Sequence, residues 1–126
     1  MGDPRLSAVA FPEPQGLPML SLSMIVRDEA PRLERCLMSV VDFVDEMVVV
    51  DTGSRDETAA IAERCGAVVR QISWPGDFAP ARNQALEWTR GDWVLVLDAD
   101  EQLFPEVRQP LTDLMERPTA LVINLL

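Results

Sequence analysis

Histidine and lysine are both missing from this 126-residue chain, so all 11 of its basic residues are arginine. Without histidine, no Ser-His-Asp triad, Cys-His pair or histidine-ligated zinc can form within it. Without lysine, there is neither a P-loop lysine nor Schiff-base chemistry. Positive charge is scarce altogether. Twenty-one acidic residues against 11 basic ones leave a formal net charge of −10. That argues against a nucleic-acid partner, because phosphate contacts need clustered positive charge. No run of about 18 apolar residues is present to cross a bilayer, and the Pro-rich N-terminus carries no apolar signal core. Cysteine is reduced to Cys36 and Cys65, each at an apolar position of a helical pattern. They read as small core thiols of a reduced, cytoplasmic protein.

What is present has a clear order. A chain of this length is one domain by the length prior and buries roughly two-thirds of its unfolded surface. Residues 1–18 contain Pro4, Pro12, Pro14 and Pro18 with little periodicity, and are expected to form a flexible leader to a domain over 19–126. Leu20 to Val26 reads as a first strand. Pro31 suits a first helical turn, and Leu33, Leu37, Val40, Val41 and Val44 follow at helical spacing. Met47 to Val50 is an apolar second strand. Ser54 and Glu57 form a capping-box pattern for a helix running to Cys65, which Gly66 stops. A third strand over Ala67–Ile72, a helix over Ala79–Thr89 and a fourth strand over Trp93–Leu97 come next. A helix from Pro105 to Arg117 and a last strand over Thr119–Leu126 complete the pattern. Strands alternating with helices of this length predict an α/β three-layer sandwich with a mostly parallel sheet.

The polar clusters then fall where chemistry is expected. Arg27-Asp28-Glu29 follows the first strand, Asp51-Thr52-Gly53-Ser54 the second, and Asp98-Ala99-Asp100-Glu101 the fourth. Parallel strands put their C-terminal ends on one rim, where open α/β sheets bind ligands near the switch in strand order. Asp98 and Asp100, on an extended backbone, project to one side because side chains alternate with period two. Two carboxylates so close repel each other unless a proton or cation lies between them. A rim this acidic would also repel a phosphate ligand unless a metal mediates, and Mg²⁺ or Mn²⁺ with oxygen ligands satisfies both demands. Arg27 and Arg82 supply further positive charge. A nucleotide-diphosphate donor, whose departing diphosphate the metal stabilises, fits better than a neutral ligand.

Four segments together resemble the family 2 glycosyltransferases and their Rossmann-like GT-A fold. They are Ser23 to Glu29, Val49 to Thr58, Ala81-Arg82-Asn83-Gln84-Ala85, and Gly91 to Glu101. The likeness is greatest to the branch holding bacterial lipopolysaccharide-core glucosyltransferases. The resemblance implies a metal-dependent, inverting transfer from a UDP-sugar, or another nucleotide sugar, to a saccharide, lipid-linked or peptide acceptor. It implies a cytoplasmic location, peripheral at the inner membrane face at most. Asp51 would contact uracil or ribose, helped by Val26, Arg27, Asp28 and Glu29, with Thr52 and Gly53 beside it. Arg82 would lie near the diphosphate or donor sugar. Asp98 and Ala99 would border the donor, and Asp100, with Asp98, would hold the metal.

Two positions depart from the family pattern. Thr52 stands where many relatives carry a second Asp, and Asp28 where Asn is commoner. Family members also continue past this point into an acceptor-binding half with the catalytic base, so the chain is expected to be a truncated, donor-binding part. Only Glu106, Asp113 and Glu116 follow Glu101, on a helix of structural pattern. No catalytic residue is therefore assigned.

Rival readings fare worse. Val49 to Ser54 also fits the Asp-Thr-Gly loop of aspartic proteases, but that fold has no room for four amphipathic helices. An Asp-x-Asp phosphatase would carry its motif after the first strand, with Thr or Val where Gln102 stands. An EF-hand would need Gly at Leu103. A non-enzymatic, degenerate donor-binding module is compatible with the same residues. Trp74, beside a Pro-Gly turn, is a residue that could flank a ligand, whereas Trp88 and Trp93 read as packing.

Overall fold

The first strand, β1 (Leu20–Val26), is apolar on alternate residues and buried nearly throughout. It is the centre of the molecule. A computed structural model describes residues 19–116 and 122–124; the expected leader over 1–18 lies outside the described residues. After β1 come α1 (Ala30–Met38), β2 (Glu46–Asp51), α2 (Thr58–Arg64), β3 (Val68–Gln71) and α3 (Phe78–Glu87). Then follow β4 (Trp93–Val96), a 3₁₀ turn (Pro105–Val107), α4 (Arg108–Met115) and β5 (Val122–Asn124). The five strands form one sheet in the order β3-β2-β1-β4-β5, and all four pairings are parallel. The chain leaves β1 in one direction to build β2 and β3, then returns to the other side for β4. The switch in strand order therefore falls between β1 and β4.

Strand parity separates two cores. Leu20, Leu22, Met24 and Val26 of β1, with Met47 and Val49 of β2, pack under Leu33, Cys36 and Leu37 of α1, Ile61 and Ala62 of α2, and Leu111 and Met115 of α4. Val48 and Val50 of β2 face the other way, against Ala85 of α3, with Ile25, Ile72 and Trp88 around them. This is the three-layer arrangement the pattern predicted, with α3 alone among the described helices in the smaller core. None of the described helices is long and apolar enough to cross a membrane.

The lower rim is tied by a polar knot. The Ser21 hydroxyl donates to Glu46 Oε2 at 2.6 Å and accepts from the Gly91 amide at 2.8 Å. Arg90 pairs with the same carboxylate. Gly91 belongs here because a Cβ would stand 2.5 Å from Ser21 Oγ.

Two local expectations are corrected. The Ser54–Glu57 capping box does not form, and α2 begins at Thr58 with no side-chain cap from Glu57. Ser54 is held elsewhere: its amide donates to Asp51 Oδ1 and its hydroxyl accepts from the Asp28 amide. The backbone is also not extended through Asp98–Asp100. β4 ends at Val96, and a turn follows in which the Glu101 amide donates to Asp98 O at 2.9 Å.

Candidate functional site

The loops after β1 and β2 are stitched together, and the stitches use the residues that looked like ligands in the sequence. Asp28 has a φ of 54°, a left-handed conformation that Asp and Asn tolerate better than other side chains. This gives a backbone reason for the position to alternate between those two residues. Its amide donates to Ser54 Oγ at 2.8 Å, and its Oδ1 accepts from the Arg55 amide at 2.7 Å. Thr52 is buried; its amide and hydroxyl both donate to Val26 O, at 3.0 and 3.2 Å. Asp51 is 1% exposed, and its Oδ1 accepts from the amides of Gly53 at 3.0 Å and Ser54 at 2.8 Å. Gly53, with a φ of 119°, supplies the backbone angle that turn requires. Among the described residues, the second oxygen of Asp51 takes no hydrogen bond.

Farther round, one carboxylate serves two helices. Asp56 Oδ2 accepts from the Ala30 amide at 3.2 Å, opening α1, and Oδ1 accepts from the Thr58 amide at 3.0 Å, opening α2. The Thr58 hydroxyl also donates to Asp56 and accepts from the Glu29 amide at 2.8 Å. These bonds, the Thr58 hydroxyl foremost, hold the Asp56 carboxyl below its ordinary 3.8. Each helix end would otherwise leave free amides.

At the switch between β1 and β4 lies a cavity of about 500 Å³. Asp98, Ala99 and Asp100 form one wall, with both acids exposed and Ala99 buried between them. Glu29 and Arg32 close the α1 side, paired at 2.9 Å. Phe78 and Arg82 of α3 line it as well, the guanidinium carbon 5.5 Å from the ring centre, and Ile25 lies at the end of β1. Trp74 meets Phe78 edge to face at 5.0 Å, so it supports this wall without lining it. Arg82 has no ion pair among the described residues. The cavity thus gathers the Arg82 guanidinium and the Asp98 and Asp100 carboxylates, none of which makes an ion pair among the described residues.

Of the residues singled out in the sequence, Glu29, Arg82, Asp98, Ala99 and Asp100 converge on this cavity. Val26, Arg27, Asp28, Asp51, Thr52 and Gly53 do not line it. Val26 packs into the larger core, and its neighbour Ile25, on the opposite face of the strand, reaches the cavity instead. Arg32 and Phe78 were overlooked as well. Arg32 was legible as the partner three residues after Glu29. Phe78 was legible as the first residue of a helix capped by Asp77, whose Oδ1 accepts from the Ala79 amide.

The carboxylate oxygens suit a hard cation. The described residues contain no cluster of three or more His, Cys, Asp or Glu side chains able to enclose one. Mg²⁺ is commonly held by one or two carboxylates, with water and substrate phosphates completing its shell. Asp98 and Asp100 fit that description.

Comparison with known proteins bears on the family and the fold. A TPR repeat-containing protein of Synechococcus elongatus is 53% identical over 107 residues, which is 85% of this chain and 27% of that protein. The structure of S. aureus TarS 1-349 in complex with UDP superposes with a TM-score of 0.69 at 26% identity, over 78% of this chain and 32% of that one. The M. tuberculosis glucosyl-3-phosphoglycerate synthase with Mn²⁺, UDP and glucosyl-3-phosphoglycerate gives a TM-score of 0.54 at 29% identity, over 68% and 36% of the two chains. This chain therefore spans about a third of the length of the proteins it matches. The fold is that of the GT-A glycosyltransferases, and the pattern described as glycosyl transferase family 2 matches residues 21–124. On that match, which covers most of its length, the chain belongs to glycosyl transferase family 2.

Proposed function

We propose that this chain is the donor-binding part of a metal-dependent, inverting glycosyltransferase that takes a UDP-sugar. The observation that carries the reading is the cavity at the strand switch, which Asp98, Asp100 and Arg82 line together without an ion pair between them. An anionic diphosphate is repelled by the acids alone, and Arg82 by itself does not offset them. Asp98 and Asp100 would hold Mg²⁺ or Mn²⁺, which when bound offsets the charge developing on the departing diphosphate. Arg82 then orients the diphosphate from the α3 side, and Phe78 gives an apolar surface to a sugar or base. The free oxygen of Asp51 is the atom we assign to the nucleoside, at the rim beside the cavity. UDP in TarS, and UDP with Mn²⁺ in the M. tuberculosis synthase, support this choice of donor.

The base that inverting transfer needs is not among these residues. Glu29 is committed to Arg32, and Glu106, Asp113 and Glu116 do not line the cavity. We assign the base and the acceptor site, for a saccharide, lipid-linked or peptide acceptor, to the part of the relatives that this chain does not span. The free thiols Cys36 and Cys65 support a reducing, cytoplasmic setting.

The test is thermal stability titrated with UDP, with and without Mn²⁺. A ligand at about 100 times its Kd stabilises by about 2.7 kcal/mol. We expect a rise in Tm with UDP plus Mn²⁺, a smaller one with UDP alone, and no added rise from Mn²⁺ in Asp100→Ala. Equal stabilisation of wild type and variant would contradict the assigned ligand.

A further inference from the structure

Glu101 follows the acid pair directly, yet it does not line the cavity that Asp98 and Asp100 share. Its functional groups turn back on Asp98 instead. The Glu101 amide donates to Asp98 O at 2.9 Å, and Glu101 Oε1 accepts from the Asp98 amide at 2.7 Å. The two bonds close the turn from both sides. From α1, the Cys36 thiol reaches the same Asp98 O at 3.5 Å, and Ala99 is 4% exposed, packed into the larger core. The exposed acids therefore ride on a backbone held at three points. A segment with two soft dihedrals per residue would otherwise place them variably.

We propose that Glu101 is a positioning residue: its carboxylate binds the Asp98 amide, not a ligand, and so presents Asp98 and Asp100 in a fixed geometry to the cation and diphosphate. The identity of what is presented rests on the donor-binding reading above; the lock itself does not. A carboxylate oxygen and an amide oxygen both accept a hydrogen bond, but only the carboxylate carries charge. Glu101→Gln and Glu101→Ala therefore separate the lock from a direct role at the metal.

The experiment has two arms on the whole chain. In the first, amide hydrogen exchange is followed by NMR in ligand-free wild type, Glu101→Ala and Glu101→Gln. Losing one hydrogen bond worth about 1 kcal/mol should raise exchange at the Asp98 amide about fivefold in Glu101→Ala, leaving β1 amides protected, while Glu101→Gln stays near wild type. In the second arm, UDP affinity in Mn²⁺ is measured by calorimetry. Loss of a supporting partner typically weakens metal sites about 10-fold or more, which is expected for Glu101→Ala and not for Glu101→Gln. Unchanged Asp98 exchange in Glu101→Ala overturns the proposal. So does equal loss of affinity in both variants, which would make Glu101 a charged ligand. If wild type binds no UDP, the donor reading fails, and the exchange arm still decides whether Glu101 holds the turn.

Discussion

Cys36 lies fully buried under the acidic turn. Burial, followed by the Glu101, Asp100 and Asp98 carboxylates, pushes its thiol from 9.0 up to about 12. The sign of the linkage is set by the unfolded chain, which ionises near 9 while the folded chain does not. Stability from this group is thus complete below pH 9 and declines as the pH rises toward 12. With no Lys and no Tyr in the chain, few other side chains titrate in that range. We expect the urea midpoint to fall between pH 9 and 11, with a shallower fall in Cys36→Ala. A decline as steep in the variant would show that other groups cause it. At neutral pH the thiol should also resist alkylation in the native state, since the thiolate is the reactive form. Asp56 has the opposite linkage. Its carboxyl is held down, so what it contributes is present above the ordinary Asp range and lost in acid.

At the scale of elements, the rim is built by exchange between loops. α1 is opened by residues that precede and begin α2, and α2 by Asp56 in place of the Ser54–Glu57 pair. Thr58 is the joint, fully buried and bonded to both Glu29 and Asp56. Thr58→Val keeps the shape but leaves the Glu29 amide without its acceptor. An unsatisfied buried donor costs about 1–3 kcal/mol, so chemical denaturation should register a loss of that size. A loss well below this range would mean that water replaces the hydroxyl. The same stitching accounts for most of the loop residues that looked like ligands. Asp28 and Thr52 are engaged in holding the β1 and β2 loops side by side, and one oxygen of Asp51 in closing its own turn.

For the molecule as a whole, β1 is the organising strand. It pairs with both β2 and β4, packs under α1, and ends at the cavity. Leu22 is completely buried at its middle. Leu22→Ala should cost about 2–5 kcal/mol through lost transfer energy and the cavity left behind. Since the sheet is continuous across β1, unfolding should stay a single transition, with circular dichroism and tryptophan fluorescence moving together. Separate transitions would show that the two sides of the sheet fold independently.

Much of this architecture was legible in the residues. Alternating β and α periodicity implied the parallel sheet and its three layers, and β1 was read to its observed limits, Leu20–Val26. Buried parallel strands are apolar runs and amphipathic helices repeat at their own spacing, so local pattern carries this information. The place of the acid pair on the rim was legible too, because parallel strands put their C-terminal ends on one side of the sheet. Hidden from the sequence was everything that depends on which loop meets which. The cap that Asp56 gives to α1 and the meeting of Arg32 and Phe78 with the acids join residues distant in the chain. Strand order and pleat parity decided those encounters. They turned Val26 into the core and Ile25 into the cavity, a difference of one residue that only the packed sheet could make.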